Sequence, residues 1–266
     1  MDETITSRSN PKIKQVRALW RRKQREAEGL FIVEGIWHIG EAIEAGAPIE
    51  AIFYAPELLK SRFAQELVEG HCGTDIPCFR TSAEVFASIA GKENPQGILA
   101  VVRESLTRLE DLKPGQFPWG VALVSPQDPG NVGTILRTID AAGASGLLLL
   151  DNSVDPYHPS AVRASMGAIF WHPVATATFE EFTTWARDYG YHIYGASAHG
   201  EVSYREVSAY QRPLVLLMGS EREGLTSEQA AVCERLVYLP MRGRVTSLNL
   251  AIATGVMLYA MMDLIR

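Results

Sequence analysis

The chain has 266 residues, 47% of them hydrophobic and 21% charged, with a formal net charge of −6. This is the balance of a globular protein that can bury a substantial core, as one large domain or two moderate ones. No apolar run reaches the ~18 residues of a membrane span, Thr254 and Asp263 interrupt the C-terminal stretch, and the polar N-terminus lacks a signal-peptide core, so no membrane association is expected. Cys72, Cys78 and Cys233 form an odd set without close metal spacing and read as reduced thiols of a cytoplasmic protein.

The acidic total conceals a basic start. Residues 1–25 hold eight Lys and Arg (Arg8, Lys12, Lys14, Arg17, Arg21, Arg22, Lys23, Arg25) against two acids. A local patch of this kind binds phosphates whatever the total charge, and a solvated helix face is the plain alternative. Ser9-Asn10-Pro11 signals a helix start, and Ile13, Val16 and Trp20 recur at helical spacing. Strands are predicted at Leu30–Val33, Ile49–Tyr54, Pro77–Arg80 and Gly97–Val102. Helices are predicted at Ile36–Ala45, after Tyr54 through Leu67, and at Ser82–Ala90. This alternation describes a small α/β domain over residues 1–106.

Residues 107–118 end in the breaker-rich Lys113-Pro-Gly-Gln-Phe-Pro118 and are read as a linker. A second domain is expected over 119–266. Its strands are Val121–Val124, Leu147–Leu150, Val174–Ala177, Tyr191–Tyr194, Leu214–Met218 and Leu236–Leu239. Its helices are Val132–Ala142, Ser160–Met166, Glu180–Tyr189, one after Thr226, and Leu248–Ile265. Continuous apolar strands such as Leu147–Leu150 belong in a parallel sheet covered on both faces.

In such a sheet, ligands gather beyond the carboxyl ends of strands, and three segments begin there. They are Asn131-Val-Gly-Thr-Ile-Leu-Arg137-Thr138, Leu217-Met-Gly219-Ser-Glu221-Arg-Glu-Gly224-Leu225, and Leu239-Pro-Met-Arg-Gly-Arg-Val-Thr-Ser247-Leu-Asn249-Leu-Ala251. The last opens a helix whose orphan N–H groups suit an anion or a carboxylate, although a strand–loop–helix with a Ser cap is also common without any ligand. The glycine loop at 219–224 is not followed by Lys-Ser/Thr, which argues against a nucleotide triphosphatase, and no G-x-G-x-x-G occurs.

Together the three segments resemble the motifs of the SpoU branch of the SPOUT RNA methyltransferases, which transfer a methyl group from S-adenosylmethionine to a ribose 2′-hydroxyl. Ser9-Asn10-Pro11-Lys12-Ile13-Lys14, Phe31-Ile-Val-Glu34-Gly35 and Asn94-Pro-Gln-Gly97-Ile-Leu-Ala100 look like the substrate-binding domain that many SpoU enzymes carry, a small α/β sandwich similar to certain ribosomal proteins. The resemblance implies a parallel-sheet domain with a deep trefoil knot that holds S-adenosylmethionine at Gly219, Leu239 and Leu248, with Met218, Met241, Gly195 and Ala196 nearby. Gly219 would let the backbone approach the ligand. Arg137 matches the main catalytic residue, suited to binding the phosphate beside the target ribose and steadying charge on the 2′-oxygen. Asn131 is expected to cap the helix bearing Arg137 and to reach the active site. Ser247 and Asn249 match residues that orient the arginine or the ribose. Glu221 matches the acid of the second motif, with a structural salt bridge as an equal contender.

Arg163, in Ala161-Val-Arg163-Ala-Ser165-Met-Gly167, joins Lys12, Lys14, Arg21, Arg22 and Lys23 as a candidate phosphate contact. The family implies homodimers in which Arg137 of one chain lies near the cofactor of the other, and the apolar C-terminal helix suits either that interface or the core. Leu250 stands where the family more often has Val. The six histidines form no metal pattern, metal is not required for this chemistry, and Trp20 and Trp37 are read as packing residues. The expected activity is therefore S-adenosylmethionine-dependent RNA 2′-O-ribose methylation, with ribosomal RNA favoured. A transfer-RNA substrate is the alternative, and a non-catalytic RNA-binding protein is opposed by the intact Arg137, Gly219, Ser247 and Asn249.

Overall fold

In the computed structural model, which describes residues 4–72 and 76–266, the chain forms two compact units. One comprises the chain up to Ser105 together with Tyr157–Phe170; the other comprises Leu106–Pro156 and Trp171–Arg266.

The first unit begins with α1 (Pro11–Ala18), where Asn10 accepts from the Lys12 N–H at 2.9 Å and Pro11 occupies the first turn. The helix stops short of Trp20, and a second helix, α2 (Arg22–Glu28), follows. Arg25 is buried there: its Nη1 donates to the Leu19 carbonyl at 2.9 Å, so this member of the basic run serves the fold. Then come β1 (Leu30–Glu34), α3 (Ile36–Glu44), β2 (Ile49–Tyr54), α4 (Arg62–His71), β3 (Cys78–Arg80), α5 (Ala83–Ala87) and β4 (Ile98–Arg103). The sheet order is β1-β4-β2-β3, antiparallel except for the β2–β3 pair. Leu30 and Ile32 of β1, Leu99 and Val101 of β4 and Phe53 of β2 cluster with Ile13, Val16, Val85 and Phe86, which seats α1 and α5 on one face.

Two sequence expectations fail in this unit. Cys72, next to the end of α4, and Cys78, at the start of β3, are joined in a disulfide with Cα atoms 5.3 Å apart; among the described residues Cys233 is left as the free thiol. Trp20 does pack, its Nε1 donating to the Ile89 carbonyl at 2.9 Å, but Trp37 is 58% exposed.

The second unit holds β5 (Trp119–Val124), α6 (Pro129–Ala142) and β6 (Gly146–Leu150). Past α7 (Pro159–Ala164) and α8 (Ala168–Trp171) it continues with β7 (Val174–Ala177), α9 (Phe179–Asp188), β8 (His192–Ala196), β9 (Val202–Ser203), β10 (Leu214–Met218), α10 (Ser227–Ala231), β11 (Arg235–Tyr238) and α11 (Leu250–Met262). All seven strands run parallel in the order β7-β6-β5-β10-β8-β11-β9. Phe182, Trp185 and Ala186 of α9 cover one face, packing with Ala122, Leu148, Val215 and Leu217. Helices α6 and α11 pack together, with Thr138 3.6 Å from the position of a Cβ on Gly255.

The stretch 107–118, read as a linker, is tied into this second core. Leu112 and Phe117 are buried in it, Trp185 Nε1 donates to the Leu112 carbonyl at 2.9 Å, and the Tyr191 hydroxyl donates to the Phe117 carbonyl at 2.7 Å. Two apolar side chains suffice to anchor an otherwise polar segment. Helix α7, expected within the second domain, packs on β1 of the first unit. The cause is aromatic: Phe31 on β1 has Tyr157 at 4.5 Å and Phe170 at 6.3 Å between ring centroids.

Candidate active site

Strand order in the second unit reverses about β5, so that β10 lies between β5 and β8, with β11 beyond. The carboxyl ends of β8, β10 and β11 therefore come together although far apart in sequence, and the chain leaving them lines a cleft of about 620 Å³. Its apolar walls are Met218, Val237, Leu239, Met241, Leu248 and Leu250, and its polar rim includes Ser197, His199, Ser220, Glu221, Thr246, Ser247 and Asn249. A concavity with apolar walls and polar groups converging at its rim suits a small molecule, and the volume lies within the ~300–1,000 Å³ common for such sites.

Of the residues expected to hold a cofactor, Ala196, Met218, Gly219, Leu239, Met241 and Leu248 line this cleft. Gly195 stands behind it: a Cβ there would lie 2.6 Å from Cys233 Sγ and 2.8 Å from Leu236 Cδ2, so this glycine lets α10 and β11 close on β8. Cys233 is itself enclosed, and burial pushes its thiol pKa up to about 12. Gly219 also has an internal reason. A Cβ at that position would lie 2.0 Å from the Gly224 carbonyl carbon and 2.3 Å from Leu225 N, while Ser220 and Gly224 form an antiparallel bridge. The missing side chain makes room for the returning loop.

At the edge of the cleft, three expected polar residues form one hydrogen-bonded chain. Asn249 Nδ2 donates to Asn131 Oδ1 at 3.0 Å, and Asn131 Nδ2 donates to Glu221 Oε1 at 3.2 Å. Glu221 also accepts the backbone N–H groups of Gln127, at 3.1 Å, and of Asp128, at 3.3 Å. Among the described residues the Glu221 carboxylate takes no cationic partner; it fastens the 219–224 loop to the entrance of α6.

Two cap assignments are corrected here. Asp128, not Asn131, caps α6: its Oδ1 accepts from Gly130 N at 2.7 Å, and Pro129 opens the helix. Asn131 lies within the first turn and is buried. At α11 the cap is Asn249, whose Oδ1 accepts from Ala251 N at 2.9 Å and Ile252 N at 3.3 Å. Those two orphan donors are thereby satisfied within the chain, while Ser247 stands free of the cap and faces the cleft.

Arg137 sits two turns into α6, exposed and outside the cleft lining. Arg163 is exposed on α7, in the first unit. Among the other expected phosphate contacts, Lys12 Nζ lies 4.0 Å above the Phe79 ring and Arg22 pairs with Glu26 at 2.7 Å, while Lys14, Arg21 and Lys23 are exposed. Ser197, Ala198 and His199, on the loop after β8, complete one wall; the sequence signal for Ala198 and His199 was contiguity with the Gly195-Ala-Ser segment.

Residues 118–259 match the model of the SpoU rRNA Methylase family, and residues 10–100 match the MRM3-like substrate binding domain. The structure is similar to an AdoMet-bound rRNA methyltransferase from Sinorhizobium meliloti, at 36% identity over 97% of this chain and 96% of that one, with a TM-score of 0.86. A 23S rRNA (uridine(2479)-2′-O)-methyltransferase of Streptomyces viridochromogenes is 32% identical over 96% of this chain and 90% of its own length. A 23S rRNA (guanosine(2553)-2′-O)-methyltransferase of Bacillus subtilis is 27% identical over 96% and 97%.

Proposed function

The chain belongs to the SpoU rRNA methylase family, and from that membership we propose that it is an S-adenosylmethionine-dependent RNA 2′-O-ribose methyltransferase acting on ribosomal RNA in the cytoplasm. The observation that carries this reading is the cleft beyond β8, β10 and β11, lined by Ala196, Met218, Gly219, Leu239, Met241 and Leu248 and edged by the Asn249–Asn131–Glu221 chain. Relatives that methylate a uridine and a guanosine differ in nucleobase but share the ribose 2′-oxygen, so the ribose chemistry carries over and the base does not.

The apolar walls fit an adenosyl group and the methylene stem of a methionyl group, and the backbone of Gly219, Ser220, Leu239 and Met241, which line the cleft, is in reach of the adenine edge. When bound, S-adenosylmethionine supplies a methyl group already activated as a sulfonium, so the protein chiefly aligns the acceptor and assists its oxygen. Ser247 and Asn249, at the mouth of the cleft, orient the ribose. Asn131 and Glu221 act one step removed, holding Asn249 and the entrance of α6 in place.

Arg137 binds the phosphate beside the target ribose and steadies charge developing on the 2′-oxygen, a task suited to a fixed guanidinium with several donors. Because Arg137 lies outside its own cleft, the reading includes a homodimer in which Arg137 of the partner subunit completes the site. Ile252, Val256, Tyr259 and Met262 leave an exposed apolar face on α11 that such a dimer would cover. The 239–249 segment is assigned to the trefoil knot of the family, and Lys12, Lys14, Arg21, Arg22, Lys23 and Arg163 to RNA phosphates.

Incubation of the full chain with labelled S-adenosylmethionine and ribosomal RNA, followed by nuclease digestion and nucleoside mass spectrometry, tests the proposal. One 2′-O-methylnucleoside is expected; a methylated base, or no transfer to ribosomal RNA, would sink it.

A further inference from the structure

The first unit carries two large aromatic side chains in water: Trp37 is 58% exposed and Phe63 54%. Phe63 packs at Gly40 of α3, where a Cβ would stand 3.7 Å from Phe63 Cζ, and Trp37 lies one turn earlier on the same helix. Aromatic rings bury ~150–250 Å² when packed, so two left open along one helix mark a contact surface.

Cations gather at the turn that bears Trp37. Gly35 opens α3 with φ +113°, and a Cβ there would lie 3.3 Å from His38 Nδ1 and 3.9 Å from Lys92 Nζ. On the other side of the imidazole, His38 Nε2 donates to the Arg163 carbonyl at 3.1 Å. Arg163 lines one small pocket with His38 and Glu34. Burial first, and then the charges of Lys92 and Arg163, hold this imidazole below its ordinary pKa against the opposing pull of the Arg163 carbonyl and the Glu41 carboxylate.

We propose that Trp37 and Phe63 form a stacking platform for unpaired bases of the RNA substrate, with Lys92 and Arg163 holding the adjoining phosphates. This rests on the methyltransferase reading and adds what part of the RNA is recognised. An A-form duplex keeps its base faces stacked internally and cannot offer them to a ring, whereas a loop, bulge or strand end can. Every base has a π-face, so such a platform is tolerant of sequence, and nearby cations track the backbone. The flanking cations favour this occupant over a protein helix, which would want a continuous apolar groove.

The test uses the full chain and a fluorescein-labelled single-stranded RNA of ten nucleotides, compared with the same sequence closed into a duplex. Trp37→Ala and Phe63→Ala should each weaken single-strand binding roughly five- to hundredfold, with little change in duplex binding or in the salt slope. Trp37→Phe should restore most of the affinity. Lys92→Gln should instead flatten the log–log salt slope by about 0.7. If both alanine variants bind single strands as the wild type does while still methylating ribosomal RNA, the platform is wrong and the enzyme reading stands. A wild-type chain that neither binds nor methylates ribosomal RNA defeats both. A changed oligomeric state with unchanged RNA affinity would make the patch a protein interface and overturn the proposal.

Discussion

Asn249 and Asn131, 118 residues apart, meet through a 3.0 Å hydrogen bond in which the Asn249 amide donates while its own carbonyl oxygen caps α11. One side chain thereby fixes the start of one helix and its distance from another.

The two jobs of Asn249 can be separated. Asn249→Asp keeps the cap acceptor and loses the donor to Asn131. Methyl transfer should fall roughly two- to tenfold, the loss of one neutral amide–amide hydrogen bond being worth ~0.5–1.5 kcal/mol, while the melting temperature stays near wild type. Asn249→Ala loses the cap as well, at about 1 kcal/mol, and should melt several degrees lower. Calorimetry beside single-turnover kinetics checks the split; equal melting losses in both variants would count against it.

Gly219→Ala should damage the cleft more than any other single methyl. The added carbon would meet the Gly224 carbonyl carbon at 2.0 Å, and backbone cannot swing aside as a side chain does. Cofactor affinity should drop at least tenfold, on the order of 1–3 kcal/mol of overpacking. Gly243→Ala, with no atom within 4 Å of its new carbon, is the control and should bind normally. Isothermal titration with S-adenosylmethionine measures both.

Arg137→Ala should lower turnover on the order of a hundredfold to a thousandfold, the typical cost of removing a preorganised donor at a developing oxyanion. Cofactor affinity should not move, because the proposed contacts of Arg137 are to the ribose phosphate and the 2′-oxygen and not to the cofactor. A mutant turning over at near wild-type rate would make the residue structural.

His38 gives a pH prediction with a definite sign. Its folded-state pKa is lowered, so the folded protein binds its proton less readily than the unfolded chain does. Stability from the neutral imidazole is therefore present above the unfolded pKa of about 6.5 and declines as pH falls below it. Urea midpoints between pH 7.5 and 5 should fall in the wild type and fall less in His38→Gln. Parallel curves would show that other groups carry the acid sensitivity.

The parallel sheet was legible from its apolar strands, and the cleft from three motifs that each follow a strand end, because parallel topology brings such ends to one edge. Local chemistry misled where two residues competed for one task. Asn131 is a good cap by type, yet Asp128-Pro129 lies three residues earlier and takes the position, which frees Asn131 for Glu221. At α11 a Ser cap was the plain reading, and Asn249, two residues after Ser247, takes the position. Helix α7 has the same apolar face whichever sheet it covers, and only the Phe31, Tyr157 and Phe170 rings decide the matter. Trp37 was read by residue type alone, which does not say on which side of a helix the core lies.

Because Tyr157–Phe170 belongs with the chain up to Ser105, the boundary between the two units is crossed three times along the sequence. No single cut separates them cleanly. A fragment beginning near Pro118 would carry α7 without β1, leaving buried residues such as Ala161 and Val162 without their sheet, and a fragment ending at Ser105 would leave Phe31 without Tyr157 and Phe170. For anyone shuffling RNA-binding units among such enzymes, the exchangeable module is discontinuous. A chimera needs three junctions, and the short helical insert must travel with the N-terminal part or the graft inherits a mismatched core.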